Sequence, residues 1–354
     1  MIDMGESVLV AMSGGVDSAA AALLLLRQGY NCAGAMLKLY AGENAESGCC
    51  SESDAEDARQ AASRLGIRFY IFNESERFRR EVMDRFVSEY GAGRTPNPCI
   101  DCNRCLKFGA LLDRALTLGY RYLATGHYAR VAFSEGRWHL LRGKDARKDQ
   151  SYVLYQLTQE QLSHLLLPVG EYDKAAIRAL AEEAGFANAQ KPDSQDICFV
   201  PDGDYVRFLR SYGGVELLPG DFVDHTGRVL GRHRGLAAYT PGQRKGLGVS
   251  SAEGRLYVLS KDASANTVLL GGEAELYTDT LYAGRVNWIE PVPASPVRVS
   301  AKTRYSQREG AAVVTPLSDG TVRVVFDEPQ RAPTAGQAVV FYDGERTLGG
   351  GTIL

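Results

Sequence analysis

Two short stretches of this 354-residue chain carry most of its potential chemistry. The first, Ser13-Gly14-Gly15-Val16-Asp17-Ser18, comes after the apolar run Ser7–Met12 and precedes an alanine- and leucine-rich segment. Glycines in a strand-to-helix turn let backbone N–H groups approach an anion closely, and the helix start adds partial positive charge. The hydroxyls of Ser13 and Ser18 are further candidate donors. No lysine comes after the glycines, so the string is not the GxxxxGK[ST] loop of ordinary P-loop ATPases. Asp17 would repel phosphate unless Mg²⁺ stood between them, which points to metal-assisted nucleotide binding. A plain glycine turn with an Asp/Ser helix cap is the simpler alternative.

The second stretch runs from Arg94 through Thr95-Pro96-Asn97-Pro98-Cys99-Ile100-Asp101-Cys102-Asn103-Arg104 to Cys105. Its prolines predict an extended segment, and Asn103 predicts a cap for the next helix. Cys102 would then sit just before a helix N-terminus, near Arg104 and Lys107, a setting that favours a thiolate. Cys198, in Asp196-Ile197-Cys198-Phe199, is a fourth candidate thiol. These cysteines admit three readings. Cys102 and Cys198 could be a nucleophile and resolving pair that handles persulfide sulfur. Cys99, Cys102 and Cys198 could hold a 4Fe-4S cluster with one iron open to sulfide. Cys99, Cys102 and Cys105 could form part of a structural zinc site.

Around these stretches, strand and helix signals alternate. Strands are expected at Ser7–Met12, Cys32–Lys38, Ile67–Phe72 and Tyr120–Thr125, with helices from Asp17, Ser51, Glu74 and Asn103. That alternation implies an α/β fold with a parallel sheet and ligands beyond the strands' carboxyl ends. After about residue 200 glycines spread out, and short alternating segments such as Pro296–Tyr305 predict a small β-barrel. The expected organisation is a catalytic domain over 1–199, a Gly-rich basic domain over 200–271 and a C-terminal barrel over 272–354.

Composition narrows the class. Apolar residues make up 45% and the net charge is −3, so the chain can bury a core but lacks a global basic field. Local runs differ: residues 227–261 carry seven Lys/Arg against one acid, and residues 137–150 carry five against two. The longest apolar run, Ala19–Leu26, is too short for a membrane span, and Asp3 and Glu6 do not suit a signal peptide. Seven clustered cysteines suggest a reduced, cytoplasmic setting with reactive or metal-binding thiols.

Seven motifs occur in order: SGGVDS; GRTPNP-C-x-x-CN; Ala124-Thr125-Gly126-His127-Tyr128; Lys148-Asp149-Gln150-Ser151-Tyr152; Asp196–Phe199; Thr240–Gly248; and Lys302-Thr303-Arg304-Tyr305. Together they resemble, from end to end, the tRNA-specific 2-thiouridylase family within the PP-loop ATP pyrophosphatase superfamily. The resemblance implies an enzyme that uses ATP and Mg²⁺ to adenylate the C2 oxygen of the wobble uridine in a tRNA anticodon. Sulfur from a cysteine persulfide, charged by a donor protein or sulfide, then replaces that oxygen. By motif position Cys198 would carry the persulfide and Cys102 would be its disulfide-forming partner. Ala11, Met12, Ser13, Gly14, Gly15, Val16, Asp17, Ser18, Leu37 and Gly126 would line the ATP site. Asn97, Pro98 and Cys99 would face the target base; His127, Lys148, Asp149, Gln150, Arg304, Tyr305 and Gln337 would touch tRNA. One branch of the family carries Asp where Cys99 stands; here Cys99 is joined by Cys105 and the vicinal Cys49-Cys50, which argues against a carboxylate acid/base at that position and favours the cluster reading. Two other functions compete: a PP-loop enzyme acting on a small molecule, and a non-catalytic RNA-binding metalloprotein.

Overall fold

The structure, a computed structural model, describes residues 6–40, 52–192, 197–250 and 254–354. Cys49, Cys50, the start of the helix expected from Ser51, and Asp196 lie outside the described residues. Of the first four strands, all but the third are apolar runs with buried centres, the pattern of a sheet covered by helices, while the third, at the sheet edge, is only half-buried. They are β1 (Ser7–Ala11), β2 (Asn31–Lys38), β3 (Arg68–Asn73) and β4 (Tyr122–Ala124). A hairpin of β5 (Ala129–Ser134) and β6 (Arg137–Arg142) precedes the short β7 (Leu165–Leu166). The sheet order is β3-β2-β1-β4-β7, with every neighbour parallel. The chain builds outward from β1 in one direction and then returns to β1's other side. This makes a topological switch point between β1 and β4, where such sheets take ligands.

Helices cover both faces. Helix α1 (Val16–Arg27) buries Val16, Ala19, Ala20, Ala21, Ala22, Leu24 and Leu25, and α2 (Glu52–Arg64) buries Ala58, Ala61 and Ala62. Two longer helical runs, α3 (75–91) and α4 (98–117), each contain a π-type segment. Further on come α5 (Gln159–Ser163), α6 (Lys174–Glu183) and α7 (Tyr205–Ser211).

The Gly-rich middle of the chain forms a four-stranded sheet. Its strands β8 (Gly220–Val223), β9 (Val229–His233), β10 (Tyr257–Asp262) and β11 (Thr267–Gly271) are ordered β10-β11-β8-β9. Phe222, Tyr239, Val258 and Leu270 are among the residues of its core. The last six strands are β12 (Tyr277–Trp288), β13 (Val297–Lys302), β14 (Gly310–Pro316), β15 (Val322–Arg331), β16 (Ala338–Asp343) and β17 (Arg346–Ile353). They run β12-β15-β14-β13-β16-β17, and β17 pairs back to β12, closing a barrel. Period-2 alternation fills its interior: Val299 and Ala301 are buried in it, while Arg298 pairs with Asp327 on an exposed face. The fold is therefore α/β, with a parallel-sheet module, a small central module and a C-terminal β-barrel.

The β5–β6 hairpin is the principal element that sequence reasoning missed. It leaves the first module and joins the barrel sheet, Leu140 and Leu141 pairing with Thr347 and Arg346. Its turn places both Glu135 (φ 54°) and Gly136 (φ 76°) in the left-handed region, as a two-residue hairpin demands. Side chains tighten this junction. Arg130 meets Glu345 at 2.8 Å, His139 meets Glu290 at 2.6 Å, and Asn287 donates to the carbonyls of Tyr155 and Leu157 at 2.7 and 3.1 Å.

The fully buried Tyr152 hydroxyl donates to the Ala338 carbonyl at 2.9 Å across the same junction. Tyr152→Phe leaves that carbonyl without its partner. We expect a loss of about 1–3 kcal/mol in unfolding free energy, measured by urea denaturation of the full chain.

Candidate active site

β1 delivers Ala11 and Met12 to the carboxyl edge of the sheet, and α1 begins at Val16, so residues 13–15 turn there. Gly14 has φ 78°, and a Cβ on it would lie 2.3 Å from the Asp54 carbonyl oxygen; no other residue type fits. The Ser18 hydroxyl donates to the Gly15 carbonyl at 2.9 Å and accepts from the Ser13 amide at 3.2 Å. Ser18 thus braces the turn, whereas its place in the motif suggested a phosphate donor. The N–H groups of α1's first turn lack intrahelical acceptors, as at any helix start. Leu37 is the penultimate residue of β2, and Gly126 comes just after β4, the strand on β1's other side. Gly126 approaches closely: a Cβ on it would lie 2.7 Å from both the Asp17 carbonyl carbon and the Ser18 nitrogen.

Asp17 is not left to repel an anion. Lys174, on the first turn of α6, places Nζ 2.8 Å from each Asp17 carboxylate oxygen, and the Tyr128 hydroxyl donates to Oδ1 at 2.7 Å. Asn188 donates to the Gly14 carbonyl at 2.8 Å, and Lys191 pairs with Asp54 and Asp57 at 2.7 and 2.5 Å. Sequence reasoning missed Lys174, Tyr128, Asn188 and Lys191 as part of this site. Only Tyr128 lies within a recognised motif; the others are too distant in the chain for any spacing rule.

The cysteine stretch departs from its expected form. The helix starts at Pro98, at the position where proline's fixed φ and missing N–H are tolerated. Asn97 is the cap, its side chain accepting from the Cys99 amide at 3.1 Å. Asn103, expected as the cap, is buried inside the helical run and donates to the Val153 carbonyl at 3.2 Å. Cys99 consequently occupies the helix start and is exposed, while Cys102 lies a turn further in and is half-buried. Between them, Asp101 is buried beside Arg85 (3.0 Å) and Arg104 (3.5 Å); burial pushes its carboxyl pKa up despite both cations.

Cys198 lies on a turn anchored by Phe199, which packs edge-on against Phe78 and Phe86 at ring-centroid distances of 5.7 and 5.3 Å. Cys102 and Cys198 pack against the same hydrophobic core. Cys105 faces Glu81 at 3.9 Å, and burial raises its thiol pKa. Among the described residues no three His, Cys, Asp or Glu side chains converge to hold a metal ion. The geometry therefore does not support the three-cysteine sets, either Cys99, Cys102 and Cys198 for a cluster or Cys99, Cys102 and Cys105 for zinc.

Most residues implicated in tRNA contact have structural partners of their own. His127 is buried, its Nδ1 2.7 Å from the Thr125 hydroxyl, and burial, with Lys107 nearby, holds its pKa well below the ordinary value. Asp149 accepts from the Gly143 and Ser151 amides, both at 3.1 Å, and Gln150 exchanges hydrogen bonds with the Tyr128 backbone. Lys148 is half-buried. Gln337 donates from the barrel to the Thr95 carbonyl at 2.8 Å, and the Thr95 amide donates to the Ala335 carbonyl at 2.8 Å. Arg304 reaches the Pro241 carbonyl (3.2 Å), the Ala332 carbonyl (2.8 Å) and the Thr334 hydroxyl (2.7 Å), joining barrel to central module. Tyr305 is 40% exposed, 6.0 Å from the Tyr152 ring, and close enough to Cys99 to be affected by its charge.

Comparison with known proteins adds to this geometry. Residues 6–202 match the family profile described as a tRNA methyl transferase HUP domain. Residues 206–272 match its PRC-barrel domain, and residues 278–353 match an aminomethyltransferase β-barrel domain. The chain is 49% identical over 356 residues to the tRNA-specific 2-thiouridylase MnmA of Acetivibrio thermocellus, covering 98% of this chain and 99% of that one. The protein of the same name from Carboxydothermus hydrogenoformans is 50% identical over 358 residues, covering 98% and 97%. This chain belongs to the tRNA-specific 2-thiouridylase MnmA family. Coverage of that extent on both sides means that this MnmA-family chain carries all three modules along its relatives' length.

The MnmA-family site makes two outcomes testable. Gly126→Ala forces a methyl group against the backbone of Asp17 and Ser18, which must shift; the variant should lower the melting temperature and weaken ATP binding at least tenfold in equilibrium titration. His127 is kept neutral by folding, so its stabilisation is complete above the unfolded-state pKa of 6.5 and falls away as pH drops through that value. A His127→Gln variant should show a flatter decline in melting temperature below pH 6.5, in melts run across that range.

Proposed function

We propose that this chain is a tRNA-uridine 2-sulfurtransferase that converts the wobble uridine to 2-thiouridine at the expense of ATP. The observation that carries the reading is near-50% identity to 2-thiouridylases along the whole chain, with a glycine anion loop and two thiols on one core. Oxide is a poor leaving group, so a uracil carbonyl resists substitution. Attack of the C2 oxygen on the α-phosphorus of ATP releases pyrophosphate and turns that oxygen into part of a phosphate ester.

The backbone of residues 13–18 would hold the polyphosphate, Gly126 would admit it to the switch point, and Leu37 would border the nucleotide. Mg²⁺ binds through phosphate oxygens and one or two carboxylates, and Asp17 would be that carboxylate here; the ion would neutralise charge on the phosphates. Cys198 would carry a persulfide charged by an external donor. Its terminal sulfur attacks C2 and expels AMP, leaving a C2–S–S–Cys198 linkage. The Cys102 thiolate then attacks the Cys198 sulfur, forming a Cys102–Cys198 disulfide and releasing the thiocarbonyl. A dithiol reductant resets the pair. Asn97, Pro98 and Cys99, at the start of α4, would face the base, which an anticodon loop can turn out of its stack at low cost.

Cys198→Ser should abolish 2-thiouridine in tRNA incubated with ATP and a persulfide donor, read by mass spectrometry of nucleosides. Cys102→Ser should stall at a tRNA–protein mixed disulfide that reductant dissolves. A fully active Cys198→Ser enzyme would reject the assignment.

A further inference from the structure

The glycine loop presents a charge problem. It lacks the lysine that ordinary phosphate loops carry, and it places a carboxylate, Asp17, in the first turn of the anion-binding helix. A carboxylate there opposes a polyphosphate before any metal ion arrives. Lys174 lies 157 residues further along the chain, yet its Nζ is 2.8 Å from both Asp17 oxygens.

The pair is largely withdrawn from water, the Lys174 side chain 12% and the Asp17 side chain 28% exposed. Desolvating two charges costs free energy that a surface pair avoids, so mere stability is a poor reason for this placement. The lysine is itself built in. Asp173 caps α6 through the Ala176 amide at 2.8 Å, Asp145 accepts from the Lys174 amide at 3.3 Å, and the ammonium lies 5.8 Å from the Tyr128 ring centre. Tyr128 also donates to the Asp17 oxygen, so two elements fix one carboxylate.

We propose that Lys174 is the lysine of this phosphate loop, a positioning residue that orients Asp17 and cancels its charge so that the cradle accepts the nucleotide polyphosphate. The inference rests on ATP occupying residues 11–18 and does not require the thiolation chemistry. Lys174 compensates Asp17 before the metal binds, and a metal ion bound at the carboxylate takes over part of that compensation. Removing the lysine should therefore hurt most where no divalent ion is present.

The test is equilibrium titration of the full chain with ATP, in EDTA and at saturating Mg²⁺, without tRNA. Lys174→Met should weaken ATP binding tenfold or more in EDTA and less in Mg²⁺. Lys174→Arg should recover much of the loss. The double variant Asp17→Asn/Lys174→Met should bind in EDTA more tightly than Lys174→Met alone, which a purely structural lysine would not produce. Binding of ATP by Lys174→Met within twofold of the wild type in EDTA overturns the role, as does failure of Asp17→Asn to suppress it. A wild-type chain that binds no ATP overturns the nucleotide loop itself, a separate failure.

Discussion

The backbone just ahead of the cysteine helix is held from outside its own module. Thr95 donates to Ala335, and Gln337 donates back to Thr95, so a barrel loop and residues 94–97 are hydrogen-bonded as one unit. The placement of the thiols depends on that clasp. Asn97 can cap only if the chain arrives in extended conformation (φ −111°, ψ 100°), and the cap decides where the helix begins. The helix start in turn decides that Cys99 is exposed at the end and Cys102 is set a turn deeper. The β5–β6 hairpin adds a second tie, feeding the first module's backbone into the barrel sheet. The first module is in this way tied to the barrel at two places, one of them the backbone before the cysteine helix.

The phosphate loop obeys a different constraint, close approach. Three backbones meet at its turn: its own, that of Asp54, and that of Gly126. Side chains are excluded from the meeting point, so N–H groups and helix ends must supply the attraction. Charge then has to come from side chains that reach in from a distance. Lys174 and Lys191 do so, each neutralising acids beside the loop and each borne on the segment that leads to Cys198. The glycine loop's charge partners and Cys198 thus belong to one stretch of sequence.

Much of this is legible in the sequence, for reasons that vary by element. The parallel strands and α1 carry strong periodicity and glycine stops, and observed ends lie within a residue or two of those expected. The cysteine helix begins earlier than its prolines suggest, because proline breaks a helix interior but starts a helix at its first position, where Pro98 stands. The hairpin escapes notice although Glu135-Gly136 between alternating segments signals a tight turn; strand pairing with β17 is set over some two hundred residues and leaves no local mark. The cysteine spacing favours a metal in one reading, yet spacing says nothing of direction, and the helix turns Cys105 towards Glu81.

Charge gives the clearest case of sequence and space diverging. Residues 137–150 read as a basic run, yet Arg137 meets Glu290, Arg142 meets Glu309, Lys144 meets Glu171 and Arg147 meets Asp145. Arg137 and Arg142 are thus spent on holding the hairpin to its neighbours, and Lys144 and Arg147 are partly offset by acids beside them. In the other basic run Arg228 and Arg232 pair with Asp224 and Asp221, and the half-buried Lys261 donates to the Tyr239 carbonyl, its pKa pushed down to about 8 by desolvation. Arg244 and Lys245 are different: both are exposed on the turn after Pro241, which Arg304 ties to the barrel. A polyanion reaching the junction of central module and barrel would meet these two exposed cations. The same barrel clasps the entrance to the cysteine helix.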